Sequence, residues 1–200
     1  MIGSDSDAAR GDRGLLAAPR LTFARQGGAA EINRALLDRY EQVREDSGIR
    51  RTHLFGGRYE NLYVSEDLIP EVRLIIESAL GHARSLLGAE DLRVGFWLNA
   101  MEPGESTSTH SHDDDDELLV GVYYVSAPPG SGDLVMTHRG VRFRVTPEAG
   151  LFAFFAPDIA HAVEPNASGE MRLSVAFNFG PVYPAGRALG LDPPPRAREA

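Results

Sequence analysis

Leu151-Phe152-Ala153-Phe154-Phe155-Ala156-Pro157-Asp158-Ile159-Ala160-His161 (LFAFFAPDIAH) opens with five residues that carry no polar side chain, turns at a proline, and ends on a histidine. A strand with one wet face alternates apolar and polar residues, so a run that is apolar on both faces predicts a central strand covered on both sides. Five residues suit a strand and are too few for a helix. The turn then brings His161 to the mouth of that sheet.

Around this stretch the chain from Gly88 onward is extended in texture. Val94–Met101 (VGFWLNAM), Leu118–Val125 (LLVGVYYV), 133–137, Val141–Val145 and Met171–Phe179 (MRLSVAFNF) are short, rich in β-branched or aromatic residues, and separated by Gly, Pro, Asn and Ser clusters. Val141, Phe143 and Val145 alternate with Arg142 and Arg144, which predicts a strand with one wet face. Before Gly88 the texture is helical. Ile32, Leu36, Tyr40 and Val43 form one stripe within 29–46. In the second helix Val72, Ile75, Ile76, Ala79, Leu80 and Ala83 recur at helical spacing, with Ser65 or a nearby acid as cap, Pro70 in the first turn and Gly88 as the stop. Between the helices, 53–59 and 61–64 are expected to be short extended pieces around a glycine turn. Two helices followed by many strands, with no helix between strands, predict a mainly β (α+β) domain. The expected architecture is an antiparallel jelly roll or barrel with N-terminal buttressing helices. The expected organisation is a tail at 1–20, a domain at 21–180 with helical buttress 29–88 and barrel core 93–180, and a second tail at 181–200.

Composition narrows the chemistry. The 200 residues suit one domain, and a net charge of −9 argues against nucleic acid or an anionic membrane as partner. There is no cysteine, so disulfides, thiolate metal sites and a cysteine nucleophile are excluded. There is no lysine either. This rules out a Schiff base or a P-loop and leaves arginine to meet any anionic ligand. No signal-like or membrane-length apolar run is present, and a cytoplasmic protein is expected.

The stretch Ser108–Glu117 (STHSHDDDDE) pairs His110 with His112 and runs into five acids. Two histidines at i, i+2 on a strand end face the same side and can reach one ion, with His161 the natural third donor. Alone, such a stretch suits a solvated acidic loop as well as a metal site. Of the other histidines, His82 lies in a helix, His138 at a hairpin tip, and His53 has no evident partner. Eleven residues after His161 stands Arg172, and Ser174 shares its face of the last long strand. An arginine on the inside of a barrel is costly unless it meets an anion.

These residues resemble the iron(II)- and 2-oxoglutarate-dependent oxygenases, in particular the small bacterial relatives of the prolyl-hydroxylase-like branch. The likeness runs from about Trp97 to Phe179. It rests on Gly104 six positions before His110, the His110-Ser111-His112 pair with its acids, Gly121–Val125, Glu148–Gly150 through Pro157 to His161, and Arg172-Leu173-Ser174. The resemblance implies a double-stranded β-helix (a jelly roll of the cupin-like kind), an Fe(II) site, and 2-oxoglutarate and O2 as co-substrates. It further implies that Arg172 pairs with the far carboxylate of 2-oxoglutarate, with Ser174 beside it and Tyr124 in reach. Asn99, which shares a strand face with Trp97, is a weaker candidate for a polar contact. The family's His-x-Asp pair is met here in two ways: His112 with Asp114, or His110 with His112 in the carboxylate position. Metal candidates are therefore His110, His112, Asp114 and His161.

The same stretch also resembles the first cupin motif, in which Glu117 would be a fourth ligand and no 2-oxoglutarate would bind. Arg172-Leu173-Ser174 has a role in the oxygenase and none in the cupin. A metal-free jelly roll that binds a sugar or peptide is a third alternative. The expected partner is a small-molecule or peptidyl substrate, and a homodimer is allowed. Arg58-Tyr59-Glu60-Asn61 is expected to be either part of a substrate lid or a turn.

Overall fold

Antiparallel pairing joins nearly every strand to a partner far away in sequence. The computed structural model describes residues 20–112 and 116–182. Both expected tails, apart from their inner ends, and Asp114 lie outside the described residues. The elements run β1 (Thr22–Arg25), α1 (Ala29–Val43), β2 (Arg50–Phe55), β3 (Arg58–Tyr63), α2 (Val72–Leu87), β4 (Leu92–Met101), β5 (Thr107–His110), β6 (Leu119–Ser126), β7 (Leu134–His138), β8 (Val141–Val145), β9 (Leu151–Phe155), β10 (Ala160–Val163) and β11 (Arg172–Pro181). They form a seven-stranded sheet, β1-β9-β6-β11-β4-β3-β2, and a four-stranded sheet, β5-β10-β7-β8. This is the jelly-roll, double-stranded β-helix architecture that the run of strands predicts.

Two cores lie on opposite faces of the large sheet, and β6 and β9 contribute to both. On β11, Leu173, Val175, Phe177 and Phe179 face α1 and α2 together with Phe152, Phe154 and Tyr123. The helices bury Leu36, Tyr40, Val72, Ile75, Ala79 and Leu87 against that face, so the buttress is one continuous apolar layer. α2 stops at Gly88, whose φ of 64° is the left-handed conformation that closes a helix end. Ser65 does not cap α2. Its hydroxyl accepts from the Leu68 N–H at 3.2 Å in the turn before the helix. The second core lies on the opposite face, where Val120, Leu134, Met136, Val145, Phe155 and Ile159 pack. All five residues of β9 are buried, and it lies between β1 and β6. β8 is an edge strand on which Arg142 and Arg144 are exposed and Val145 is buried, as the alternation predicts, while Phe143 is half-buried and Val141 is exposed at the hairpin end.

Three strands carry no strong sequence signal: β1, β5 and β10, each four residues long. β1 to β3 extend the large sheet at its two edges. Arg58–Asn61 is strand, not turn, because the reversal is made one step earlier by Gly56 and Gly57, with φ of 58° and 87°.

Candidate metal centre

β5 and β10 are neighbours in the small sheet, and their register sets His110 directly opposite His161. Cross-strand partners stand on the same face, so both rings project into the space between the sheets. His112 lies just past the end of β5, where its N–H donates to the Pro157 carbonyl at 3.0 Å and fixes the chain across the proline turn. The i, i+2 spacing then returns its ring to the face of His110. The three rings lie 4.3 to 5.3 Å apart by centroid. One ligand nitrogen from each lies within 4.8 Å of the others. His161 is buried and the other two are half-buried.

The nitrogen not aimed at the centre is engaged in each ring. His110 Nδ1 lies 2.9 Å from the Ser108 carbonyl, and His161 Nδ1 lies 2.9 Å from the Ile159 carbonyl. A carbonyl only accepts, so both Nδ1 atoms carry the proton and both Nε2 atoms present a lone pair. His112 Nδ1 lies 3.3 Å from the Asn178 amide, which in turn lies 3.4 Å from Glu117. The same amide nitrogen donates to Glu117, so the contact ties the His112 ring to Asn178 on β11. Burial pushes the His161 pKa down to about 3, with His110 and His112 adding to the effect. The ring is therefore neutral, the form that binds a metal.

Across the same cavity stand Arg172 and Ser174. Arg172 is only 2% exposed. One of its terminal nitrogens donates to the Gly132 carbonyl at 2.6 Å, while Nε is buried without a hydrogen bond. Its guanidinium lies 5.0 Å from the Tyr124 ring centroid. The Tyr124 hydroxyl is itself buried without a hydrogen bond, and burial raises its pKa while the Arg172 charge pulls it back. Ser174 donates weakly to the Asn99 carbonyl at 3.4 Å. No acidic side chain forms an ion pair with Arg172 among the described residues. A buried cation, with unfilled donors beside it and hydroxyls nearby, suits a bound anion. Val120, Val122, Leu134, Phe155 and Val163 make much of the remaining wall apolar.

His110, His112, His161, Arg172, Ser174 and Asn99 thus line one cavity, with Tyr124 against Arg172. Asn99 spends its side chain on Arg58 and Thr107, at 3.4 Å each. Glu117 is not in the histidine cluster. Its carboxylate lies near Asn178 and, at 3.7 Å, Arg93. His82 is half-buried on α2, its ring tilted against those of Phe152 and Phe154 at 5.4 and 5.8 Å between centroids. Outside the histidines a groove runs to the surface past His53, Asn61, Tyr63, Trp97 and Asn178. The sequence places Glu60 only in a lid or turn and does not point to its hold on Ser108, and it does not mark Asn178. Glu60 is 6% exposed although a charged strand residue ordinarily faces water, and only its alternation with Tyr59 and Asn61 hints at a special face.

No protein-family model and no curated protein sequence matches this chain. Several solved structures share its fold. A prolyl-4-hydroxylase from Pseudomonas putida is 21% identical, with a TM-score of 0.56, over 80% of this chain and 88% of that one. The non-haem α-ketoglutarate-dependent carbocyclase SnoK from nogalamycin biosynthesis is 18% identical, with a TM-score of 0.65, over 80% and 79%. The α-ketoglutarate-dependent epimerase SnoN from the same biosynthesis is 17% identical, with a TM-score of 0.64, over 90% and 88%.

Proposed function

We propose that this chain is an iron(II)- and 2-oxoglutarate-dependent oxygenase that hydroxylates, or otherwise oxidises at a C–H bond, an amino acid, a peptide or a secondary metabolite. The observation that carries this is the facing of three convergent imidazoles by a buried arginine, without an ion pair among the described residues, across one largely apolar cavity. The structural neighbours support it, since those three are a prolyl-4-hydroxylase and two α-ketoglutarate-dependent enzymes.

The donor set suits iron(II). Imidazole nitrogen is a good ligand for it, and three ligands on one side leave the opposite side open. His110, His112 and His161 would hold the ion. When bound, iron with 2-oxoglutarate and O2 supplies the oxidising power for a C–H bond. The chain's own part is to bind, orient and keep dry. Arg172 offers its fork to the far carboxylate of the keto acid, and Ser174 and Tyr124 add hydroxyl donors. A dianionic co-substrate offsets the charge of a metal held by neutral imidazoles, so the lack of a carboxylate among the three does not disqualify the site. The apolar wall excludes water from the reacting region. Substrate would enter by the groove past Trp97 and Asn61, which ends at His110 and His112.

Calorimetric titration with 2-oxoglutarate under anaerobic conditions tests this. Binding is expected with iron(II) present and should be strongly reduced without it. Arg172→Met, which keeps the volume and removes the charge, should weaken binding by about 100-fold, the scale of a lost buried charge pair. Equal binding by Arg172→Met would remove Arg172 as the anchor, and no binding of 2-oxoglutarate even with iron(II) present would leave the cupin-like alternative standing.

A further inference from the structure

We infer that Glu60 is a positioning residue for the metal centre: through Ser108 it fixes the strand end that carries His110. This rests on the proposal that the three histidines hold iron. β3 joins the barrel weakly by backbone, since its register with β4 is a single pair, Leu62 opposite Leu98. β5 belongs to the other sheet altogether. Two buried charged side chains of β3 span that gap.

Glu60 spends both carboxylate oxygens on one residue. Oε1 accepts from the Ser108 N–H at 2.7 Å, and Oε2 accepts from the Ser108 hydroxyl at 2.8 Å. Ser108 in turn offers its carbonyl to His110 Nδ1 at 2.9 Å. The residue gripped by Glu60 is therefore the one that sets the tautomer and plane of His110. One step along, Arg58 grips the preceding turn. Its terminal nitrogens donate to the Ser106 carbonyl and the Thr107 hydroxyl at 2.9 Å each, and to the Ala100 carbonyl at 3.2 Å. Together the two side chains hold 106–108 from its N–H, carbonyl and hydroxyl sides.

Burying two charged groups is a poor way to gain stability, because desolvation cancels most of the attraction. What such a clamp gives is geometry. Outer contacts of a ligating histidine set its orientation, and their loss commonly lowers metal affinity by about 10- to 100-fold. β2–β3 also forms the groove wall through His53, Asn61 and Tyr63, so the clamp ties that wall to the centre.

The test uses iron(II) alone as the probe, in an anaerobic competition with a chromogenic chelator, alongside thermal melting of the metal-free proteins. Glu60→Asp keeps the charge but is one methylene too short to reach both atoms of Ser108. It should bind iron about 10- to 100-fold more weakly. Glu60→Gln can still accept from the N–H and meet the hydroxyl, and should stay within about 3-fold of the unaltered protein. Unchanged affinity in Glu60→Asp, even with a lowered melting temperature, would overturn the clamp and reduce Glu60 to a packing role. Loss in Glu60→Gln equal to that in Glu60→Asp would also overturn it, since charge and not contact would then matter. Should Glu60→Asp fail to fold, Ser108→Ala carries the test with an expected loss of about 3- to 10-fold, and no loss overturns the clamp. Failure of the unaltered protein to bind iron would instead strike the oxygenase proposal, which separates the two outcomes.

Discussion

At the scale of single residues, the centre depends on rings whose protons are placed by backbone carbonyls. His110 donates to the carbonyl two residues back in β5 and His161 to the carbonyl two residues back, just before β10, so local backbone geometry selects the Nε2 lone pair. Replacing His110 with Ala should abolish tight iron binding, while Asp114→Ala should leave it within a few-fold, as chelator competition would show. His161 also makes a prediction about acid. Its folded pKa of about 3 lies below the ordinary 6.5, so the unfolded chain takes up a proton that the folded chain refuses. Its contribution to stability is complete above pH 6.5 and is lost as pH falls from there towards 3. Urea unfolding of the metal-free protein should therefore show lower stability at pH 5 than at pH 7.5. Stability that stays level or rises over that interval would contradict a neutral buried His161.

At the scale of elements, the link between β6 and β7 seats Arg172, the arginine proposed to anchor the co-substrate. Gly132 has a φ of 93°, and a Cβ there would lie 2.1 Å from the Glu164 carbonyl oxygen, so no other residue is accommodated without backbone movement. Its own carbonyl receives Arg172. Gly132→Ala should lower the melting temperature and weaken 2-oxoglutarate binding together, whereas Ile75→Ala on α2 should cost about 2–5 kcal/mol in urea unfolding while leaving ligand affinity per folded molecule unchanged. The long periodic elements were readable from sequence: α1 and α2 from their stripes, β9 from its five apolar residues, β8 from its alternation. β1, β5 and β10 were not, because four residues are too few to show a period and their partners are distant in sequence. His110, His112, His161 and Arg172 could be picked out because few residue types perform their chemistry. Glu60 and Arg58 could not, because burial is decided by tertiary packing, and a charged residue in a strand otherwise signals water.

At the scale of the whole molecule, the two sheets divide the work. The large sheet carries the helices on one face and contributes Arg172, Ser174 and Tyr124 on the other, while the small sheet contributes His110 and His161, with His112 just beyond its end. The cavity lies between the sheets, so side chains of both line it. No helix among the described residues is long and apolar enough to cross a membrane. The central claim is that a keto acid held by one sheet meets a metal held by the other. Anaerobic visible spectroscopy tests it most directly. Iron(II) alone should give a featureless visible spectrum, and adding 2-oxoglutarate should produce the charge-transfer band of a chelated keto acid, absent in His161→Ala. A protein that binds one iron yet shows no such band with saturating 2-oxoglutarate would contradict the account.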